Sequence, residues 1–369
     1  MSEQTICTDT IKLNIGPHHP ATHGVFRLET ELDGEVVVNS RPILGYLHRG
    51  IEKIAENLTY NQIIPYFDRL DYLSGFLNEY PFVSAVERLM GIEVPKKAQY
   101  LRVLMMELNR IAAHLVNIGA QGLDLASMTS MVYCMREREY LLELFVAVSG
   151  SRMTFNWMRV GGVKSDLPEG FLSRVDRFIH YLKDRMPEYA SLMQDNEIFQ
   201  ARTKGIGILR PDHALELGCS GPLLRGSGVA RDIRMDEPYE VYDELEFKVI
   251  THDECDSFAR YMVRYDEISQ SIRIIEQILS KIPDGDIMAK VPKVIKPPEG
   301  DIYSRVEAPI GELGVYLSSD GKNKPHRMKI RAPSFSNIRA VPDMIKGLQV
   351  PDVIATFASV APTMGEADR

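Results

Sequence analysis

The chain has 369 residues, 44% of them hydrophobic and 25% charged, which is ordinary for a globular protein and allows one large core or two to three domains. Its 43 Lys and Arg and 51 Asp and Glu residues give a formal net charge of −8, which argues against nucleic-acid binding through a general basic field. The four cysteines lie far apart with no Cys-x-x-Cys pair, so there is no sign of a zinc finger, a cysteine-ligated cluster or a disulfide scaffold.

The sequence also shows no membrane-spanning segment. No apolar run reaches the roughly 18 residues that a span needs, and the first ten residues lack the basic and apolar regions of a signal peptide. If the protein works at a membrane, another chain must therefore hold it there. The widely separated cysteines favour a reducing compartment.

The N-terminal part predicts β-structure. Residues 11–40 alternate in places between apolar and polar side chains, and Asp33-Gly34 separates two β-rich runs, which is a hairpin signal. The segment Gly-Pro-His-His-Pro-Ala-Thr-His-Gly at 16–24 precedes these runs. We expect it to form a loop leading into the hairpin.

From about Gly50 the pattern becomes helical. Apolar residues at three- and four-residue steps predict long helices, which we place at 97–118, 127–149, 167–196 and 257–282. The intervening Gly-rich stretch at 205–234 lacks the Gly-Lys-Ser/Thr of a phosphate loop. After Pro283, residues 307–321 predict a strand and turn, and residues 326–332 a returning strand.

These patterns predict an α+β fold with a central helical bundle and β-rich elements before and after it. The predicted segments are an N-terminal β-rich segment with the His-rich loop (1–49), the helical bundle (50–204), a Gly-rich irregular region (205–254), a long helix returning to the bundle (255–283), and a C-terminal β-rich segment with a buried tail (284–369).

The stretch at 65–74 places Asp68, Arg69, Asp71, Tyr72 and Ser74 among apolar residues. Interpreted as an apolar helix, it carries five polar groups that need partners, because an unpaired buried polar group costs roughly 1–3 kcal/mol. Taken alone, a tyrosine at such a position is typical of a core residue whose hydroxyl is satisfied.

Other candidate residues also have ordinary interpretations. Asp124 is typical of a helix end, and Arg49 and Arg69 are typical of surface or interface residues in ion pairs. The imidazoles of His18, His19 and His23 could ligate a metal, could hydrogen-bond backbone groups, or could form a proton-donating loop beside a redox ligand. No acidic or cysteine partner stands nearby at ligand spacing.

Seven segments together favour a more specific interpretation, because they follow one another in the order found in one family. They are Gly-Pro-His-His-Pro-Ala-Thr-His-Gly (16–24), Gly-Tyr-Leu-His-Arg-Gly-Ile-Glu-Lys (45–53), Pro-Tyr-Phe-Asp-Arg-Leu-Asp-Tyr (65–72), Glu-Leu-Asn-Arg-Ile-Ala-Ala-His (107–114), Arg-Gly-Ser-Gly (225–228), Glu-Ala-Pro-Ile-Gly-Glu-Leu-Gly-Val-Tyr (307–316) and Gly-Glu-Ala-Asp-Arg (365–369). Over nearly its whole length the chain closely resembles the D-subunit family of NADH–quinone oxidoreductase, respiratory complex I.

That family is similar to the large subunit of nickel–iron hydrogenases, which implies the same fold without the metal centre. Asp71 and Ser74 stand where the hydrogenases have one pair of cysteines, and Thr363 and Glu366 stand where they have the other. Nickel and low-valent iron need soft thiolate ligands. We therefore expect no metal and no flavin in this chain, no hydrogenase activity, and a cavity that can admit a quinone head group.

The resemblance also implies residue roles in quinone reduction. Tyr72 and His23 would hydrogen-bond the two carbonyl oxygens of the quinone, Asp124 would pair with this histidine, and His19 would be a second loop histidine. A phenol with a pKa of about 10 and an imidazole near 6.5 suit proton donation and recovery.

Electrons would come from an iron–sulfur cluster in a neighbouring subunit, near which Arg49 and Arg69 would lie. Two residues depart from the family pattern: Thr154, where many ubiquinone-using members have histidine, and Ala361, where aspartate is common. Since such a histidine helps to raise the potential of the terminal cluster, Thr154 favours menaquinone as the acceptor.

The function implied is that of the quinone-binding subunit of a proton-translocating NADH dehydrogenase, peripheral on the cytoplasmic side of the cell membrane and inactive alone. Its partners would be other complex I subunits, especially the small cluster-bearing B subunit, the C subunit and the membrane-embedded H subunit, with no nucleic acid. Alternatives are a ferredoxin-fed or other-donor version of the complex, a redox-inactive scaffold, and a metalloenzyme using the loop histidines. The combination of Tyr72, His23 and Asp124 argues against a scaffold.

Overall fold

The computed structural model describes residues 10–18 and 24–369. Its N-terminal part is an antiparallel sheet in the order β1–β2–β3, built from β1 (Ile11–Ile15), β2 (Arg27–Asp33) and β3 (Val36–Ile43). The β2–β3 connection turns at Gly34, whose φ of 61° lies in the left-handed region that glycine adopts without strain. The predicted Asp-Gly hairpin is confirmed.

Helices make up the middle of the chain. The first six α-helices are α1 (Ile51–Ala55), α2 (Tyr60–Phe67), α3 (Gly75–Met90), α4 (Lys96–Asp124), α5 (Met128–Ser149) and α6 (Phe171–Tyr189), with the small strands β4 (Met158–Arg159) and β5 (Gly162–Val163) between the last two. The following ones are α7 (Glu197–Ala201), α8 (Pro211–Glu216), α9 (Pro222–Arg225), α10 (Ile233–Asp236) and α11 (Ser257–Lys281). The four predicted long helices correspond to α4, α5, α6 and α11.

The region after α11 contains both sheet and helix. Strands β6 (Gly300–Glu307), β7 (Glu312–Ser319) and β8 (Arg327–Arg331) form an antiparallel sheet in sequence order. The helices α12 (Pro333–Ile338), α13 (Val341–Ile345), α14 (Val350–Val360) and α15 (Met364–Asp368) follow. The returning strand at 326–332 is confirmed as β8. The strand predicted at 307–321 begins only at Glu312, because residues 308–311 form the turn between β6 and β7.

Helix α4 is the central helix of the core. This helix is buried over most of its length and packs against α3, α5, α11 and α14. One large apolar cluster joins the helices to the β6–β8 sheet, and a second joins the N-terminal sheet to α9, α13 and α14. The mixture of helices and small sheets confirms the predicted α+β class. Across residues 10–18 and 24–369, none of the helices has both the length and the apolar character to cross a membrane.

A buried ionic network ties the other elements to α4. The Arg225 side chain is 0% exposed, and its guanidinium donates from Nε to Glu267 and from Nη1 to Glu307, each at 2.7 Å. Glu267 is also 2.8 Å from Nε2 of His114 on α4. Since buried charges are costly without partners, the network fixes α9, α11 and β6 relative to α4.

Candidate functional site

The segment at 65–74 is not one apolar helix, contrary to the prediction from its sequence. Helix α2 ends at Phe67, and residues 68–74 form a loop leading into α3, here called the Tyr72 loop. The Asp71 carboxylate accepts the N–H of Leu73 at 3.0 Å and the hydroxyl of Ser74. Such local bonds compete with helical hydrogen bonding, so these polar groups hold a tight loop.

Tyr72 is not a core residue, since 48% of it is exposed. It lies at a cavity of about 340 Å³. The cavity is lined by Tyr72 and Leu73 of the loop, Val116, Asn117 and Ala120 of α4, Met131, Met135 and Arg138 of α5, and Met153, Ala361, Pro362 and Thr363. Most of these side chains are apolar, so the cavity suits a flat, largely apolar ring with a few polar oxygens.

The side chains at the four predicted thiolate-replacement positions are all buried. Thr363 Oγ1 donates to Asp71 Oδ1 at 3.0 Å, and Ser74 donates to the same carboxylate. Burial and the nearby Asp71 carboxylate raise the pKa of Glu366 to about 8. These groups form a polar cluster behind Tyr72, and their hard oxygen atoms are poor ligands for nickel or low-valent iron.

Helix α15 packs directly on the Tyr72 loop. A Cβ on Gly365 would lie 2.8 Å from the carbonyl oxygen of Leu70, closer than carbon and oxygen normally approach, so this packing requires glycine. Gly24 faces the same helix, since a Cβ there would lie 3.7 Å from Cγ of Met364. The residue that follows the segment 19–23 is therefore next to the C-terminal wall of the cavity.

His19 and His23 themselves lie outside the described residues, so their roles stay predictions. His18 forms an isolated bridge with Val25, which brings the described residues on either side of this segment together. Asp124 is the last residue of α4 and is partly exposed. It lies about one helical turn beyond Ala120, which lines the cavity.

The structure brings Arg49 and Arg69 together. Arg49 Nη2 donates to the carbonyl oxygen of Arg69 at 2.6 Å, and Arg69 Nη1 donates to that of Pro65 at 3.0 Å. Burial, together with the charge of Arg69, lowers the pKa of Arg49 from its ordinary value. Within residues 10–18 and 24–369 no carboxylate pairs with either arginine, contrary to the ordinary expectation of ion pairs.

Comparison with known proteins decides the family. The model for the respiratory-chain NADH dehydrogenase 49 Kd subunit matches residues 124–299 and 291–369. The D subunit of the NADH-quinone oxidoreductase of Clostridium beijerinckii is 50% identical over 367 residues, covering 100% of this chain and 99% of the relative. Those of Desulforamulus reducens and Dehalococcoides mccartyi are 48% and 49% identical, each covering 99% of this chain and 100% of the relative. The chain belongs to this family.

As a member of the D-subunit family, the chain is one component of NADH–quinone oxidoreductase, the enzyme of respiratory complex I, and other subunits of that complex are its partners. The predicted family and enzyme class are confirmed. In the part of the chain that the structure describes, no three His, Cys, Asp or Glu side chains are grouped to hold a metal, and Cys134, Cys219 and Cys255 are separate thiols. These residues do not fit an iron–sulfur cluster.

Sequence reasoning missed two polar residues of the D-subunit cavity, Asn117 and Arg138. Asn117 is only 6% exposed, and in the part of the chain that the structure describes its Nδ2 has no hydrogen-bond partner. Arg138 is partly buried and acts electrostatically on Tyr72. Both lie within long helices whose periodicity indicates burial, but periodicity alone does not show which buried face meets a cavity.

The loop that carries Thr154 is held beside the same cavity by contacts of the two residues that follow it. Phe155 stacks on Phe76 with ring centroids 3.9 Å apart, and the N–H of Asn156 donates to Asp68 at 2.9 Å. Thr154 itself is exposed and directly follows Met153, which lines the cavity. The structure thus places Thr154 at the edge of the candidate site.

Proposed function

We propose that this subunit binds the quinone of the complex in the cavity beside Tyr72 and takes part in its reduction, which is coupled to proton translocation. The proposal rests on one feature, a half-exposed phenol at an apolar cavity of about 340 Å³. Sites for small ligands are typically apolar, with a few polar groups that orient the ligand. Electrons would come from an iron–sulfur cluster held by the small neighbouring B subunit.

Quinone reduction takes two electrons and two protons. The chain's own residues would donate the hydrogen bonds through which the protons reach the quinone. Tyr72 would donate a hydrogen bond to one carbonyl oxygen and His23 to the other, while Asp124 would favour the charged form of His23. Burial and the charge of Asp71 raise the pKa of Tyr72 above its ordinary value. The phenol therefore stays protonated, and its hydrogen bond strengthens as the quinone oxygen gains negative charge.

Arg49 and Arg69 would act where electrons arrive from the iron–sulfur cluster of the neighbouring subunit. Positive charge near an iron–sulfur cluster favours its reduced state, and Arg49 and Arg69 lie together with no carboxylate partner among the described residues. We place the B subunit on this side, with the C subunit and the membrane-embedded H subunit as further neighbours. The protein would be peripheral, on the cytoplasmic side of the cell membrane.

The fold proposed for this role is that of a nickel–iron hydrogenase large subunit without its metal centre. The four thiolate-replacement positions and the contact between Asp71 and Thr363 support this proposal. The segment boundaries given above remain part of the same proposal. The cavity beside Tyr72 would then hold a quinone in the place of a metal.

Filling the cavity tests the proposed function. Ala120→Phe should abolish most NADH-driven quinone reduction, because the added ring occupies space that the quinone needs. Electron transfer from NADH to ferricyanide at the flavin end should persist in the same membranes. Ala120→Ser, which adds a single oxygen, is the matched control and should retain activity. Wild-type quinone kinetics in an assembled Ala120→Phe complex would contradict the proposal.

The quinone proposed is menaquinone, and Thr154 is the basis of that proposal. An imidazole that hydrogen-bonds a cluster stabilises its reduced state and raises its potential, whereas threonine offers one neutral hydroxyl. We therefore expect Thr154→His to raise the midpoint potential of the terminal cluster and to make it depend on pH. Redox titration followed by electron paramagnetic resonance at several pH values measures both effects. A wild-type cluster that already shows a high, steeply pH-dependent potential would contradict the assignment.

A further inference from the structure

Arg138 lies on the wall of the cavity, and no carboxylate among the described residues forms an ion pair with it. Its neighbour in sequence, Glu139, is occupied by Arg152, which donates to both carboxylate oxygens at 2.7 and 2.6 Å. Within residues 10–18 and 24–369, Arg138 itself has no hydrogen bond or ion pair. Burial lowers its pKa, but from an ordinary value of 12.5, so the guanidinium stays charged at neutral pH.

The charge of Arg138 lies near the group that would touch the quinone. Burial and the charge of Asp71 raise the pKa of Tyr72, and the charge of Arg138 partly opposes that rise. Tyr72 and Arg138 line the same cavity. An oxygen that accepts a hydrogen bond from Tyr72 would therefore also experience a nearby positive charge.

Asn117 adds a second unsatisfied donor. This residue lines the cavity, and among the described residues its buried Nδ2 has no hydrogen-bond partner. A buried amide without a hydrogen bond is costly, and a ligand oxygen in the cavity would remove that cost. An amide and a guanidinium on residues that line one cavity are donors of the kind that proteins use for an oxygen carrying negative charge.

We propose that Arg138 and Asn117 form an oxyanion-binding pole of the cavity, which makes it bind quinone rings with a negatively charged oxygen more tightly than neutral rings. This inference rests on the proposed quinone site and adds a preference for ligand charge. The ligand class is the anionic hydroxyquinones, and the same pole would stabilise charge that develops on a quinone oxygen during reduction.

The test compares two ring compounds of similar shape in the intact complex in membrane vesicles. At neutral pH, 2-hydroxy-1,4-naphthoquinone is an anion and 2-methoxy-1,4-naphthoquinone is neutral. Inhibition constants are measured against a short-chain quinone with NADH as donor. In the wild type the anion should bind at least about tenfold more tightly, as expected for a charge-assisted hydrogen bond.

Substitutions then test whether Arg138 causes the preference for the anion. Arg138→Met should remove the preference for the anion and leave inhibition by the methoxy compound nearly unchanged. Arg138→Lys should retain part of it, because the charge remains while the planar fork is lost. Arg174→Met, which removes a partly exposed arginine of α6, is the matched control and should behave like the wild type.

The possible outcomes distinguish a failure of the oxyanion-binding pole from a failure of the proposed quinone site. If both compounds inhibit the wild type but Arg138→Met keeps the anion preference, the oxyanion pole is wrong and the quinone site stands. If neither compound competes with quinone in the wild type, the quinone site is wrong, and the pole with it. Should Arg138→Met fail to assemble, Asn117→Leu and Arg138→Lys decide, and an unchanged preference in both would overturn the inference.

Discussion

Replacing Tyr72 with phenylalanine is expected to lower kcat/KM for quinone reduction by roughly 10- to 150-fold while the complex remains assembled. The change removes one hydroxyl and leaves the ring. A hydrogen bond to an oxygen that gains charge contributes roughly 1.5–3 kcal/mol, which converts to this range of rates. His23→Ala should act in the same direction, because it removes the donor proposed for the second carbonyl oxygen.

The measurement is NADH-driven reduction of short-chain quinones by membranes, compared with electron transfer to ferricyanide at the flavin end. Tyr140→Phe is a close control, because Tyr140 on α5 is 47% exposed, like Tyr72 at 48%, but lies outside this cavity. It should keep the wild-type rate. If Tyr72→Phe and His23→Ala both reduce quinone at the wild-type rate, these residues do not bind the head group.

Replacing Arg225 with leucine is expected to destabilise the protein by about 3–5 kcal/mol, the range seen when one partner of a buried ion pair is removed. The guanidinium holds two buried carboxylates, those of Glu267 and Glu307, at 2.7 Å. Its charge also helps to keep the pKa of Glu267 well below the ordinary value against the effect of burial. Without Arg225 both acids are left without their main positive partner.

Urea unfolding of the purified protein, together with the amount of complex assembled in membranes, measures the effect. Arg231→Leu is the matched control, because this arginine of the same region is 48% exposed and lies 3.6 Å from Glu312. Exposed pairs typically contribute only about 0–1 kcal/mol. Equal unfolding midpoints for Arg225→Leu and Arg231→Leu would show that the buried network contributes no special stability.

The sequence predicted the elements whose signal is local and repeated. The three- and four-residue apolar steps of α4 and α11 continue for many turns, and Asp33-Gly34 has the chemistry of a tight hairpin. Helices α12 to α15 were missed because each spans at most 11 residues, too few for a clear periodicity. Proline near the start of α12, α13 and α14 was their main local signal.

Prediction of the candidate site was limited by contacts distant in sequence. The Tyr72 loop was assigned to a helix because its apolar residues fit one, but the Asp71 side chain bonds to the nearby Ser74 and to Thr363, which lies 292 residues away. Asn117 and Arg138 follow helical patterns in sequence, and only the packing of α4 against α5 places them at a cavity. Tyr72 was identified from the family resemblance, whereas the residues around it could be identified only from the three-dimensional packing.

Photoaffinity labelling tests the quinone site most directly. A ring-azido quinone that the intact complex reduces in the dark would be irradiated, and the labelled peptides of this protein identified by mass spectrometry. We predict labels on the Tyr72 loop, on α5 between Met131 and Arg138, or at residues 361–363, which line one cavity. Excess quinone and the Ala120→Phe substitution should both suppress them. Quinone-protected labelling elsewhere, with these segments unlabelled, would contradict the site.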